Sequence, residues 1–247
     1  MKPLRIGIAG TGRMGRTLMA SIASRQDLCL ASIWVRDDKR ASDLHVAAEI
    51  VVSHELDAVT RAADVLVDFS LPEATNDVLA AVVTHDKPLV CGVSGLSERQ
   101  LARVEEAARS VAVVYDRNMS LGIAVLENLV RQAAAALGSD FAAEVHETHH
   151  VHKVDAPSGT ALKLGEAIAA ARDSDPRDIR YEVERRGEVP GEHAVILASA
   201  TERLTLAHSV TTRQVFADGA LHAARWVVDK PPGRYSIRDV LQLSGPL

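Results

Sequence analysis

The sequence predicts an α/β chain in two parts: an N-terminal sheet of parallel strands covered by helices on both faces, then a smaller α+β unit built on a mixed sheet. Three observations carry that expectation. Through the first half, apolar or β-branched runs of four to seven residues alternate with longer helical stretches, as in a parallel sheet. Near residue 118 the alternation gives way to a long stretch with a strongly apolar face. Beyond residue 180, strand-like runs follow one another without intervening helices, which calls for an antiparallel or mixed sheet.

In chain order, Leu4–Ala9 predicts a strand, Met14–Ser24 a helix and Leu28–Trp34 a second strand. Val65–Asp68 is a third strand, followed by a helix opening at Pro72-Glu73. Pro88–Cys91 is a fourth, Ser97–Arg109 a helix and Val111–Val114 a fifth strand. Leu121–Leu137 predicts a long helix, and the alternation A-E-V-H-E-T within Ala142–Thr148 a half-exposed strand. A helix over Ser158–Ala171 leads into the polar connection R-D-S-D-P-R-D. Strand-like runs follow at Arg180–Glu184, Ala194–Ala198 and Arg203–Val210, then a helix over Arg213–Val228 and a short one near Ile237–Leu243. The expected division is residues 1–120 with 222–247 in one domain and 121–221 in the other.

Composition narrows the function classes. The 247 residues suffice for two small domains with a substantial core, and 47% hydrophobic with 25% charged residues excludes disordered, collagenous and coiled-coil classes. A net charge of −5 offers no basic excess to neutralise phosphates, and 3% aromatics leave little for base stacking, so no nucleic-acid partner is expected. Gly7, Gly10, Gly12 and Arg13 interrupt the N-terminal apolar stretch, and no window approaches the roughly 18 apolar residues of a spanning helix. No membrane partner is expected, and the expected location is cytoplasmic. Cys29 and Cys91 each lie inside an apolar run, which predicts buried free thiols rather than a disulfide.

Gly10-Thr11-Gly12-Arg13-Met14-Gly15 is a G-x-G-x-x-G placed directly after a strand and opening a helix. The first glycine permits the tight turn, the second lets backbone approach a pyrophosphate, and the third lets helix and strand pack closely. The helix start adds N–H groups and a positive dipole end. This context predicts a Rossmann-type dinucleotide-binding domain. The end of the second strand reads Val35-Arg36-Asp37-Asp38. Arg36 suits a 2′-phosphate through its planar fork, with Arg13 as a second contact, which favours NADPH, while Asp37 leaves NADH open.

Residues 144–160 read E-V-H-E-T-H-H-V-H-K-V-D-A-P-S-G-T. Four of ten histidines fall here, at His146, His149, His150 and His152, beside Lys153. A metal site and a polar strand edge are two readings, although neither an H-E-x-x-H helix nor a thiolate cluster supports the first. The third is a cationic, proton-donating pocket next to an anion site. Ser158 is a good helix N-cap, and Gly159 and Thr160 present N–H groups at the helix start. With a nicotinamide domain, that arrangement suits reduction of a small acidic substrate.

The run His149-His150-Val151-His152-Lys153-Val154-Asp155-Ala156-Pro157-Ser158-Gly159-Thr160-Ala161 resembles the signature of the dihydrodipicolinate reductase family. The glycine loop, Asp68-Phe69-Ser70, Gly92-Val93-Ser94-Gly95, Asn118-Met119-Ser120-Leu121-Gly122, Gly191-Glu192-His193 and Phe216-Ala217-Asp218-Gly219-Ala220 are similar to family motifs in the same order. The resemblance spans nearly the whole chain. It implies a two-domain, usually homotetrameric enzyme of diaminopimelate and lysine biosynthesis, which passes a hydride from NADPH or NADH to C4 of 4-hydroxy-tetrahydrodipicolinate with loss of water. It further implies Lys153 as proton donor and His149 as its acid/base neighbour. His150, Lys153, Ser158, Gly159 and Thr160 are implied contacts to the substrate, with no metal. Gly92, Val93 and Ser94, with Asp116, Arg117, Asn118 and Met119, are implied loops around the nicotinamide half of the cofactor. Asn118-Met119-Ser120 marks the expected hinge. The chain departs from the family pattern at Asp116-Arg117, at His222, at Val35 and in a shorter stretch between Asp178 and Gly187.

Three rival readings fit less of the sequence. A sugar dehydrogenase calls for a different Lys/His arrangement, without H-H-x-H-K leading into S-G-T, and a thioester-forming semialdehyde dehydrogenase needs a reactive cysteine, but both cysteines sit in strand-like runs. A redox sensor would keep the glycine loop without needing the His/Lys run. A histidine-rich metal binder is separated by metal analysis of the purified protein.

Overall fold

The computed structural model describes residues 2–37, 44 and 46–243. The described residues form two compact units, one comprising the chain up to Ser120 together with Gln214–Gln242, the other Leu121–Arg213. The first boundary falls where the sequence pattern changes. The second lies at 213/214 rather than at 221/222. The whole of the helix Gln214–Val227 belongs with the first unit, where it packs on Arg13–Ala23 and buries Ala217, Ala220, Leu221 and Ala224. Residues 244–247, assigned to the first domain from the sequence, lie outside the described residues, as does Asp38.

The first unit is built on strands β1 (Leu4–Ala9), β2 (Leu28–Trp34), β3 (Val51–Ser53), β4 (Val65–Asp68), β5 (Leu89–Cys91), β6 (Ala112–Tyr115) and β11 (Gly233–Tyr235). Their order is β11-β6-β5-β4-β1-β2-β3, and every pairing is parallel. Strands flanked by helices are buried on both faces, so β4, β5 and β6 are apolar throughout apart from Asp68. The helices are α1 (Arg13–Ala23), α2 (Leu56–Ala62), α3 (Thr75–Thr84), α4 (Glu98–Ala107), α7 (Gln214–Val227) and α8 (Ile237–Val240). A 3-10 turn at Pro72–Ala74 precedes α3, so that helix opens three residues later than the sequence predicts. Ser97 and Gln100 close a reciprocal capping box at the start of α4.

The order of chain connections reverses between β1, which pairs with β2 on one side, and β4 on the other. In a doubly wound sheet, loops diverge at such a switch point and leave a crevice beyond the carboxyl ends of the strands. Here β1 ends at Ala9 and β4 at Asp68, so the glycine loop and Phe69-Ser70 border that crevice.

The second unit pairs β7 (Ala142–His149), β8 (Arg180–Arg185), β9 (Glu192–Ala198) and β10 (Arg203–Ser209) in the order β10-β9-β7-β8. Only β7–β8 is parallel, which makes the sheet mixed, as the sequence predicts. Helices α5 (Leu121–Leu137) and α6 (Gly159–Arg172) pack on each other and share a core with one face of this sheet. Ile123, Leu126 and Val130 from α5, Leu164 and Ile168 from α6, and Val145, Val195 and Leu197 from the strands are buried together. Each such side chain contributes about 1.5–3 kcal/mol by leaving water. The period of two puts Val145, Glu147 and His149 on the buried face of β7, with Glu144, His146 and Thr148 on the other.

Candidate active site

In the first unit, a cleft of about 340 Å³ is lined by Gly10, Thr11, Gly12, Trp34, Arg36 and Phe69, among others. Its geometry follows from the glycine spacing. Gly10 has φ +97°, which disfavours a side chain, and a Cβ there would also meet the Phe69 backbone at 2.9 Å. A Cβ on Gly15 would stand 2.0 Å from the Gly10 carbonyl oxygen, so α1 can start this close to β1 only with glycine. Gly12 is the α1 N-cap, without a capping side chain and with open space where a Cβ would be. That open cradle, facing the unsatisfied N–H groups of a helix start, fits a dinucleotide pyrophosphate. Arg13 and Arg36 are exposed, Met14 half-buried and Val35 buried. Trp34 is fixed by donation from Nε1 to the His54 carbonyl at 2.9 Å.

The neighbouring strand ends bring the other cofactor candidates together. Gly92 N donates to the Asp68 carbonyl at 2.9 Å, and Asp116 N to the Cys91 carbonyl at 3.3 Å. The Gly92–Ser94 and Asp116–Met119 turns therefore leave adjacent strands on the same edge of the sheet. A Cβ on Gly92 would stand 2.5 Å from the Phe69 ring, which explains the glycine. Ser94 and Arg117 are exposed and Asn118 half-buried, whereas Val93 and Met119 are buried. Ser120 N donates to Asn118 Oδ1 at 2.9 Å. Asp68 is fully buried, and burial pushes its carboxyl up to about 6 despite donation from Ser70 N at 2.8 Å.

The second unit gathers the His/Lys run around a buried carboxylate. Glu147 Oε1 accepts from Ser158 N at 3.0 Å and from both terminal nitrogens of Arg185 at 3.3 Å. Glu147 Oε2 faces His149 Nδ1 at 3.5 Å and His193 Nε2 at 3.8 Å. Burial holds His149 below the ordinary histidine range; Glu147 opposes that shift, while Lys153 and Arg185 add to it. Burial and the neighbouring His149 push His193 down to about 3. His150 is likewise lowered, by burial and then by Arg213.

Lys153 Nζ pairs with Asp155 Oδ1 at 2.7 Å. Ser158, expected among the substrate contacts, is 2% exposed, and its Oγ accepts from Ala161 N as the α6 N-cap. It sets the helix start, while Gly159 is exposed and Thr160 half-buried at that start.

The four clustered histidines do not converge on one point, although the His150 and His152 rings lie 6.1 Å apart. His149 is buried beside Glu147, whereas His146 lies on the other face of β7, between Glu144 and Glu182. His152 is exposed near Glu188. Among the described residues, two three-residue groups have metal-ligand spacing, Glu147/His149/His193 and Glu144/His146/Glu182. In both, arginine already neutralises the carboxylates: Arg185 on Glu147, and Arg180 on Glu144 and Glu182. Neither group is proposed as a metal site.

Two family models cover almost the entire chain: "Dihydrodipicolinate reductase, N-terminus" over residues 4–119 and "Dihydrodipicolinate reductase, C-terminus" over residues 122–241. The chain belongs to the dihydrodipicolinate reductase family. Among curated relatives, the 4-hydroxy-tetrahydrodipicolinate reductase of Caulobacter vibrioides is 42% identical, over 97% of this chain and 98% of its own length. The reductase of that name from Pseudoalteromonas translucida is 38% identical over the same shares. A solved structure, the dipicolinate-bound dihydrodipicolinate reductase of Paenisporosarcina sp. TG-14, shares the fold with a TM-score of 0.81 at 21% identity, covering 95% of this chain and 97% of that one.

Within this reductase family member, Glu147 and Arg185 hold the cluster together without being singled out by the sequence, where His193 enters only as part of a motif. Their signal was partial. The alternation of β7 already places Glu147 on the face of Val145, where an acid demands a partner. The partners come from β8 and β9, whose pairing no local pattern reveals.

Proposed function

We propose that the protein reduces 4-hydroxy-tetrahydrodipicolinate to tetrahydrodipicolinate with NADPH or NADH. The observation that carries this reading is the grouping, in one unit, of His149 and the Ser158-capped start of α6 around Glu147, with the Lys153 loop tied to the same group through Arg185. A doubly acidic ring suits that grouping. The Lys153 ammonium and His150 attract one carboxylate, and the Gly159–Thr160 helix start receives the other. The Gly10–Gly15 loop, the Gly92–Ser94 turn and the Asp116–Met119 turn hold the dinucleotide.

A bound reduced nicotinamide supplies the hydride that arrives at C4. The C4 hydroxyl leaves as water, which consumes one proton. Lys153 gives that proton and His149 assists as the adjacent acid/base, its ring kept largely neutral by burial. Arg36, on the edge of the cleft after the buried Val35, places the 2′-phosphate and so favours NADPH.

Assembly as a cytoplasmic homotetramer belongs to the same proposal. It is supported by the outer face of the second sheet, where Ala194, Ile196 and Thr205 are half-buried or exposed. Among the described residues, no helix is long and apolar enough to cross a membrane.

The test couples a synthase that makes the unstable substrate to the purified protein and follows NADPH and NADH oxidation separately. Substrate-dependent oxidation supports the reading. Its absence sinks it, and turnover in Lys153→Ala close to that of the unaltered protein removes Lys153 as the proton donor.

A further inference from the structure

Arg185 ends β8 directly beside His149 in the parallel register, with its side chain one-fifth exposed. Its guanidinium reaches four acceptors. Nε donates to the Lys153 carbonyl at 3.2 Å, Nη1 to the Glu184 carbonyl at 2.9 Å, Nη2 to the Asp155 carbonyl, and both terminal nitrogens to Glu147. Glu147 in turn holds Ser158 N, the residue that caps α6. One ion pair, its carboxylate buried, thus ties together the strand end bearing His149, the loop bearing Lys153 and the helix start at Gly159.

We propose that the Glu147–Arg185 pair is the positioning device of the reaction, setting the backbone of residues 153–158 so that Lys153, His149 and the α6 start meet the same substrate. The inference rests on the functional reading above. It follows from shape as well as charge. A planar fork donates simultaneously to a carboxylate and to carbonyls in fixed directions, whereas an ammonium offers a point charge. Lysine at position 185 would keep the net charge and lose the scaffold. A misplacement of about 1 Å in a group that orients substrate costs roughly 10²-fold in rate.

The pair also acts oppositely on His149. The charged groups facing that ring are Glu147, Lys153, Arg185 and Asp155, and His193 packs edge-on with ring centroids 5.0 Å apart. Glu147 favours the imidazolium, and Arg185 disfavours it.

The experiment compares Arg185→Lys, Arg185→Met and Glu147→Gln with Lys153→Ala and the unaltered protein. Each is checked for folding by thermal denaturation, assayed in the coupled system, and titrated by histidine NMR with His149 assigned from His149→Asn. In Arg185→Lys, kcat/KM for the dicarboxylate is expected to fall roughly 10²-fold, with the KM for NADPH unchanged and the His149 titration in place. In Glu147→Gln the His149 titration moves to lower pH, and in Arg185→Met to higher pH. If Arg185→Met fails to fold, the lysine variant still decides the matter. Wild-type kcat/KM in Arg185→Lys, with Lys153→Ala crippled, overturns the positioning role and leaves the functional reading standing. Wild-type turnover in Lys153→Ala removes Lys153 as proton donor and with it the positioning role, whereas no substrate-dependent oxidation by the unaltered protein overturns the functional reading.

Discussion

Lys153 Nζ stands 2.7 Å from Asp155 Oδ1, so the implied proton donor is held by an acid of its own loop. Burial would raise the Asp155 carboxyl, but the hydrogen bond and charge of Lys153 outweigh it and hold the group below the usual carboxylate range. The Asp155 side chain is 56% exposed, which limits the pair to about 1 kcal/mol or less. A substrate carboxylate must compete with that pairing. Asp155→Asn is therefore expected to tighten binding of pyridine-2,6-dicarboxylate by up to about fivefold, the factor equivalent to 1 kcal/mol. Calorimetric titration reads this directly, and weaker binding by the variant contradicts it.

Most of the fold was legible because its signals are local. β1, β2 and β4 have the ends that their apolar runs predict, and the G-x-G-x-x-G spacing locates the cleft. The elements missed are short and lie toward the sheet edges. β3 and β11 are three residues each and pair with one neighbour, so neither carries enough alternation to register, and α2 spans only seven residues. The site was half legible for a related reason. His149, Lys153, Ser158 and Gly159 lie within one continuous run, whereas Glu147 meets His193 through the antiparallel register and His149 meets Arg185 through the parallel one. Non-local strand pairing assembled what local pattern left apart.

The three glycines of the loop have different reasons to be glycine, and two substitutions separate them. Gly15→Ala would press a methyl group against the Gly10 backbone carbonyl, which has no flexible end to yield. Overpacking of this kind costs about 1–3 kcal/mol, so Tm without cofactor falls by several degrees. Gly12→Ala meets nothing within 4 Å and changes only an N-cap, a loss of at most about 1 kcal/mol. Its expected defect is weaker dinucleotide binding with a nearly unaltered Tm. Equal thermal losses in the two variants would contradict this division.

Arg36 borders the dinucleotide cleft and follows Val35, which is 1% exposed and stands directly after β2 where an acid could claim a ribose. A charge-assisted contact to a 2′-phosphate is worth about 1.5–3 kcal/mol. Arg36→Ala is expected to raise the KM for NADPH by roughly ten- to a hundredfold and to leave that for NADH nearly unchanged. Steady-state kinetics with each cofactor checks it; parallel losses would show that Arg36 does not read the extra phosphate.

His193 gives the second unit an acid-sensitive point. It is 4% exposed, and burial with the neighbouring His149 lowers its folded-state titration from the ordinary 6.5 to about 3. Between those values the unfolded chain binds a proton that the folded chain refuses, so stability falls as pH drops from 6.5 toward 3 and is unaffected by this group above 6.5. Asp68 works in the opposite sense. Its carboxyl, raised from 3.8 to about 6, takes up a proton in the folded state first and adds stability as pH falls through that window. The overall acid slope is therefore a difference, and a variant is needed to isolate the histidine. His193→Asn, which keeps a polar side chain that cannot charge, is expected to be less stable than the unaltered protein at pH 7.5. It should also lose less stability between pH 6.5 and 4.5. Urea unfolding across that range measures both slopes, and equal slopes would mean that His193 takes up its proton without unfolding the strand that carries it.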